Sequence, residues 1–423
     1  MGLHEPMQLP RWLLLGLLAF GTAGCAMGPR SIDSTRIAYN RVLKTTSEEQ
    51  LLLNIVRLRY ADTPSSLAVS SIAAQFEMAR SAQLTPFLAA TGAGASTNIE
   101  RFRSILPQAM ASSADRPTIS YTPLDDGDFT RRLFTPLGLE QVLYLAKTTW
   151  PIATVFRLYL ENLNWVPNAQ LASGPTPKQA PEYEEFLAGI KLLQVLQDKG
   201  LVVFGSEERS QPAATPIETA RVAASDLTDA AKNGLEYRRD PGGRTWSLIR
   251  KTRQPVLHVK PTALAAPEVV AFTRAFHLKP GLLKYDVTLE SLVPFTEAFP
   301  REGVEVLDLE TRSLLQVLYF LSHGVDIPDD HAKAGLVQVT RDARGHPFDW
   351  HQVLAGLFRV HSSSEKDRPP GASVATRYQN RWFFIDQTDQ DTKSTFSLVL
   401  ELSRLEMTAK TNAGPALTLS VGQ

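Results

Sequence analysis

The sequence predicts an α+β protein, with amphipathic helices packed on antiparallel hairpins. Three observations lead there. The stretch LEYRRDPGGRTWSLIR at 235–250 sets two strand-forming runs around an Asp-Pro-Gly-Gly turn. Residues 182–199 place Tyr183, Phe186, Leu187, Ile190, Leu193 and Leu196 on one helical stripe that stops at Gly200. Elsewhere helical and hairpin patterns alternate irregularly, without the regular strand and helix succession of a parallel βαβ sheet.

At the front, Arg11 precedes an apolar run from Trp12 to Phe20, and the small residues Thr22, Ala23 and Gly24 lead to Cys25. A membrane-crossing helix needs ~20 apolar residues, so this shorter run between Pro10 and Gly21 has the layout of an export signal. The stretch TAGC resembles the lipobox of bacterial lipoproteins, with Thr22 where leucine is usual. The resemblance implies cleavage between Gly24 and Cys25, loss of residues 1–24, and diacylglyceryl and palmitate-type acyl chains on Cys25. Each buried methylene contributes ~0.8 kcal/mol, so two or three such chains hold a protein to a bilayer. The alternatives are an ordinary secretory peptide with an incidental cysteine, or a buried first helix. In enterobacterial lipoproteins an aspartate after the cysteine retains the protein at the inner membrane. Ala26 therefore implies the outer membrane, with the body facing the periplasm.

Cys25 is the single cysteine of the chain. Once it is acylated, disulfides, thiolate metal sites and a thiol nucleophile are all excluded, and the fold rests on packing. The chain has 44 basic and 44 acidic residues, and residues 1–24 contain one of each, Arg11 and Glu5. Such a balance does not predict nucleic acid as a partner. At 423 residues and 43% hydrophobic, the chain is long enough for more than one ordinary core.

Residues 25–46, polar and poor in large apolar groups, are expected to form a lipidated tether. Residues 47–165 read as an N-terminal α+β region, and 182–423 as a C-terminal one. Between them, 166–181 carries Pro167, Pro175, Pro177 and Pro181, the mark of a linker. Ser47 and Gln50 make a capping box that opens a helix over LLLNIVRLRY, stopped by Asp62-Thr-Pro64. Residues 65–98 mix small residues with strand formers, predicting two or three strands with a turn at 92–96 and Pro86 at an edge or bulge. A further strand falls at 117–122 and a turn at LDDGD, 124–128. Helices follow at 139–147 and 152–164, the second opened by Pro151. After the 182–199 helix come the strand LVVF and a polar loop at 206–216. Val256 to Val259 extends the Asp-Pro-Gly-Gly hairpin. Helices are predicted at 313–321, 349–354 and 391–407, with a second hairpin at 374–385 turning on Gln379-Asn380.

Two stretches, EEQLLLNIVRLRYADTP and RYQNRWFFIDQTDQDTKSTFSLVLEL, resemble segments of an uncharacterised family of bacterial lipoproteins. The likeness spans most of the mature chain and implies an envelope location without an activity.

Five of the eight histidines lie between His323 and His361. Within HPFDWH, His346, Asp349 and His351 are candidate zinc ligands, although the spacing follows no established pattern; the alternative is turn and surface histidines. Asp386, Asp389 and Asp391 offer oxygens for calcium or cap the closing helix, and the calcium loop's glycine and closing glutamate are missing. Asp125, Asp126 and Asp128 read as solvated turn residues. The motifs GxSxG, HExxH and GxxxxGK[ST] do not occur, and GAGAST at 92–97 lacks the third glycine of a dinucleotide fingerprint. Tyr378, Trp382, Phe383 and Phe384 form either a ligand platform or, by strand alternation, a core with Trp382 or Phe384 on the outer face.

The expected function is therefore non-catalytic, without catalytic residues or cofactor. The protein would be a lipid-anchored periplasmic body in a binding or scaffold role, with an envelope protein as partner. One alternative is a subunit of an oligomeric outer-membrane pore or export assembly. Residues 66–122 pair as hairpins in a layout similar to the curli export channel, interrupted by Glu77, Arg80, Glu100 and Arg101. Another alternative is a metal-dependent envelope enzyme. The partner's identity and the oligomeric state are left open.

Overall fold

The protein is described by a computed structural model covering residues 27–65, 67–73, 76–86, 105–115, 118–123, 127–148, 150–218, 221–289 and 303–408. Gly24, Cys25, the predicted turn at 92–96, Asp125 and Asp126 lie outside the described residues.

The chain opens with α1 (Met27–Arg59), β1 (Leu67–Ala73), β2 (Phe76–Pro86), β3 (Ile105–Asp115), β4 (Thr118–Pro123), α2 (Gly127–Phe134), α3 (Leu139–Lys147) and α4 (Ile152–Tyr159). Next come β5 (Leu160–Leu163), β6 (Val166–Pro167), α5 (Glu184–Asp198), β7 (Val202–Pro212), β8 (Ile217–Glu218), α6 (Ala224–Lys232), β9 (Leu235–Arg239) and β10 (Thr245–Val259). The last elements are α7 (Pro267–Ala275), β11 (Lys284–Leu289), β12 (Val306–Thr311), α8 (Leu314–Ser322), α9 (Asp329–Lys333), α10 (His351–Leu354), β13 (His361–Ser363), β14 (Ala372–Tyr378), β15 (Arg381–Asp386) and α11 (Gln390–Thr408).

Contacts divide the chain into two units, one of residues 1–64 with 131–404 and one of 65–130 with 405–423. The division does not fall at 166–181. There the prolines flank buried Val166, Asn168, Ala169 and Ala172, so that stretch is part of a core and not a linker.

The larger unit combines helices and strands and is built on a mixed sheet in the order β6-β5-β12-β11-β10-β7, with β8 and β9 also paired to β10. One neighbour pair, β11 with β12, is parallel, an arrangement the hairpin-based reading did not include. Leu257, Val259, Val287, Leu307 and Leu309 from this sheet share one apolar core with Phe156, Phe186, Phe272 and Phe276 from the helices. Helices α5 and α7 pack closely: a Cβ at Gly189 would stand 2.5 Å from the Phe276 ring, so only glycine fits. A separate sheet, β13-β15-β14, carries Phe383 and Ile385 into the same core.

Helix α1 starts well before the predicted capping box, and residues 27–46 are helical and not an extended tether. Ser47 sits in mid-helix and donates to the Leu43 carbonyl at 2.7 Å instead of capping. Ile37 and Val42 are exposed while Leu52, Ile55 and Val56 are fully buried, so burial begins near where the sequence places the helix start. The predicted helix 152–164 ends at Tyr159, and Leu160 begins a strand because residues 160–163 pair with β12. Asn164 and Trp165, both at positive φ, make the two-residue turn between β5 and β6. The polar stretch 206–212 is strand and not loop, pairing along its length with β10.

The helix-to-strand junction leaves α4 carbonyls without intrahelical partners. A fully buried arginine, Arg312, supplies donors to them: Nη1 reaches the carbonyls of Arg157 and Leu158 at 3.0 and 3.2 Å. Nη2 donates to the Asn168 carbonyl at 2.5 Å and Nε to Ser173 Oγ at 2.9 Å, with the guanidinium 4.0 Å over the Phe320 ring. Burial lowers its pKa to about 9, with Glu161 acting in the other direction.

The smaller unit contains two strand pairs, β1 with β4 and β2 with β3, both antiparallel. They share one register. From Ala73↔Thr118 the pairing resumes at Phe76↔Asp115, the same step along both strands, and runs to Pro86↔Ile105. Among the described residues these are two separate two-stranded ribbons; at about 3.3 Å per residue, the β2–β3 pair is ~36 Å long. A bulge between Val69 and Ser71 shifts the phase once. Without it, Val69 and Ile72 would lie on opposite faces; with it they lie on one.

Replacing Arg312 by Met is expected to cost about 3–5 kcal/mol in urea unfolding, because buried carbonyls lose their donors. Lysine at this position should recover less than half of that, since a single ammonium cannot span four acceptors.

Candidate functional site

The histidine-rich segment folds around the end of α8. The helix predicted over 313–321 forms from Leu314, with Ser313 as its cap: Ser313 Oγ accepts from the Gln316 amide at 3.3 Å, and Gln316 Oε1 accepts from the Ser313 amide at 2.7 Å. Beyond α8, Gly324 lets the chain press against 358–360, where any Cβ would meet the Phe358 carbonyl at 2.8 Å. A parallel bridge between Val325 and Val360 follows.

This approach sets Asp326 among three basic side chains. Arg359 Nη2 donates to Asp326 Oδ2 at 3.0 Å, His361 Nδ1 stands 3.3 Å from the same oxygen, and His351 Nε2 stands 3.1 Å from Oδ1. The His351 contact lies off the line of a hydrogen bond and so is electrostatic in character. The opposite nitrogen, His351 Nδ1, is 2.8 Å from Asp349 Oδ1. His351 is thus held between two carboxylates, an arrangement that orients its imidazole ring.

Asp349 and His351 therefore meet, as the HPFDWH spacing allows. His346 does not join them; it is exposed and stands 3.6 Å from Asp342. Among the described residues, no group of three His, Cys, Asp or Glu side chains is placed to hold a metal ion. Asp389 caps α11, its carboxylate accepting from the Thr392 amide and hydroxyl at 2.9 and 2.7 Å. Asp386 accepts from Thr388 in the same manner. Phe383 is core, while Trp382 lies on the other strand face and donates to the Lys366 carbonyl at 3.3 Å. Local spacing gave no signal for Asp326, because its partners come from distant segments joined only by folding.

His323 and His331 are buried elsewhere in this region. His331 Nδ1 is 2.7 Å from the Tyr60 hydroxyl. Burial pushes the Tyr60 phenol well above its ordinary range, so the hydroxyl is the donor. His323 Nδ1 donates to the Tyr319 carbonyl at 2.7 Å, and its ring packs against Trp350 with centroids 4.1 Å apart and planes tilted at 45°. Its Nε2 has no hydrogen-bond partner among the described residues. Burial, then the positive charge of Arg59, lowers its pKa to about 3.

A groove of about 340 Å³ beside Leu201, Val203, His258, Lys260 and Leu283 has a mainly apolar lining. The other features that present a surface are the strand pairs β1 with β4 and β2 with β3. Their strands pair only with each other among the described residues, leaving both edges without a further strand. In the first pair Val69 lies opposite Tyr121 and Ile72 opposite Ile119. In the second, Ala82 lies opposite Ala109 and Gln83 opposite Gln108.

No protein-family model, curated protein or solved structure matches the chain. Among the described residues, no helix is long and apolar enough to cross a membrane.

The neutral state of His323 makes stability depend on pH. Between its unfolded value of 6.5 and its folded value of about 3, the unfolded chain binds a proton that the folded chain lacks. Acidification in that window therefore favours unfolding. Urea midpoints measured at pH 7.5 and 4.5 should reveal a loss of about 2–3 kcal/mol from this residue. A His323→Phe variant should lose correspondingly less over the same interval.

Proposed function

We propose that the protein is a lipid-anchored component of the bacterial cell envelope, held at the outer membrane through acylated Cys25, with its body in the periplasm. In this reading it binds or scaffolds an envelope partner and does not catalyse a reaction. The TAGC stretch supports the anchor. The observation that carries the binding role is the two strand pairs, β1 with β4 and β2 with β3, which are joined to no further strand among the described residues. Two strands alone are marginal in water, so such an element suits a partner surface better than a free one. The Asp326 cluster adds less to an enzymatic reading, since its ion pairs serve to dock 359–361 against the end of α8.

The test is fractionation with mass spectrometry of the mature amino terminus. Wild-type protein should sediment with outer membranes and carry acyl chains on Cys25. Cys25→Ser should move to the soluble periplasmic fraction. A bare Cys25, or a retained Met1 end, would reject the anchor and the location together.

A further inference from the structure

Strand β7 is the last of its sheet, paired to β10 on one side and to no strand on the other among the described residues. Two bonds decide which of its backbone groups face the open side. The Lys260 amide donates to the Leu201 carbonyl at 2.9 Å, and the Ala213 amide to the Leu248 carbonyl at 2.7 Å. Bonded pairs alternate along an antiparallel ladder, and the register from Val202 to Pro212 is unbroken, so the odd-numbered residues of β7 bond to β10. The N–H and C=O groups of Val202, Phe204, Ser206, Glu208 and Ser210 therefore point outward. Pro212 stands at an outward position too, where its missing N–H costs the ladder nothing.

The edge is protected over only part of its length. Glu207, Glu208, Arg209 and Pro212 supply the charge and proline that keep a water-facing edge from pairing. From Val202 to Ser206 there is neither. Along that part the apolar groove adjoins the edge: Val203, 58% exposed, lies opposite His258, with Leu201 and the half-exposed Leu283 beside them. Lys260 brings a positive charge to the groove and has no acidic partner among the described residues, whereas Lys199, Lys251 and Lys284 each have one.

An extended peptide laid along this edge would bond to the outward groups of Val202, Phe204 and Ser206. Cross-strand neighbours share a face, so its residue beside Val203 would turn to the groove, and the residue two positions on, beside Leu201, would turn to Lys260. The first place suits an apolar side chain and the second a carboxylate.

We propose that the Val202–Ser206 edge of β7 docks an extended segment of a partner protein, which adds to the sheet as a strand and carries an acidic residue two positions from an apolar one. The site uses none of the residues on which the envelope reading rests, so either can fail alone.

The test uses the full chain with Cys25→Ser, in buffer without lipid. The probes are blocked, fluorescein-labelled heptapeptides, Ser-Glu-Thr-Leu-Thr-Val-Ser and its forms with Ile or Phe in place of Leu. Their binding, followed by anisotropy, should saturate. Amide hydrogen exchange at Phe204 and Ser206 should then slow by about fivefold or more, while Gly205 and Glu207, already bonded to β10, change by less than about twofold. N-methylation of alternate peptide amides, or Lys in place of the peptide Glu, should each weaken binding about tenfold. Lys260→Glu should reverse the preference between the Glu and Lys peptides. Ser206→Pro removes an outward N–H and leaves the bonds to β10, and should also weaken binding about tenfold. Where that variant does not fold, the N-methylated peptides on the unaltered edge give the same reading. Binding that does not saturate by about 1 mM, N-methylated and plain peptides that agree within about twofold, or protection without the alternation would each overturn the proposal. A dimer in sedimentation that Ser206→Pro dissolves would assign the edge to a second copy and overturn it as well.

Discussion

A single buried guanidinium organises the larger unit. Helix α4 passes directly into β5, with no glycine or left-handed residue to terminate it and no loop to bring water to its last carbonyls. Arg312 provides what a conventional helix stop would, and Asn168 shares the task by donating to the Arg157 and Leu160 carbonyls at 2.8 and 2.6 Å. Taking a guanidinium out of water costs several kcal/mol, a cost offset here by four acceptors and an aromatic face. Because Arg312 sits between β12 and α8, satisfying α4 also fixes the β5–β12 pairing and the start of α8. Its backbone takes part too, with the amide donating to the Tyr159 carbonyl at 2.7 Å.

Elements whose cause is local were legible in the sequence. The Asp-Pro-Gly-Gly turn, with Gly243 at φ 69°, and the Gln379-Asn380 turn, with both residues at positive φ, carry their conformations in their own residue types. Ser313 and Gln316 cap α8 because the two partners lie only three positions apart. Where the cause is distant, local reading failed. Ser47 has a capping pattern, yet the residues before it remain helical and leave nothing to cap. Residues 160–163 follow a helical apolar pattern but become strand because β12 offers an edge. Of the candidate ligands, only the Asp349–His351 contact was readable, since a single residue separates them. The Asp326 cluster needed the Gly324 approach, which no spacing rule anticipates.

The polar strand β7 illustrates another way to stabilise pairing. Its outer half buries little, and opposite charges meet across it instead. Arg209 forks onto both oxygens of Asp286 at 2.5 and 2.6 Å, Lys284 reaches Glu207 at 2.8 Å, and Lys251 stands 3.5 Å from Glu208. Exposed pairs of this kind contribute ~0–1 kcal/mol each, so this end of the sheet is held by many weak terms and depends on salt.

That comparison bears on the ribbon. Within one chain of balanced charge, the exposed end of the β7–β10 pairing is made compatible with water by lysine, arginine and glutamate at successive positions. Over β1 and β4 the paired positions contain no lysine, arginine, aspartate or glutamate at all. Average composition cannot account for the contrast, because both segments draw on the same residue pool. Edge strands that face water are ordinarily protected by charge, proline or a covering element, and β1 has neither charge nor proline along its length.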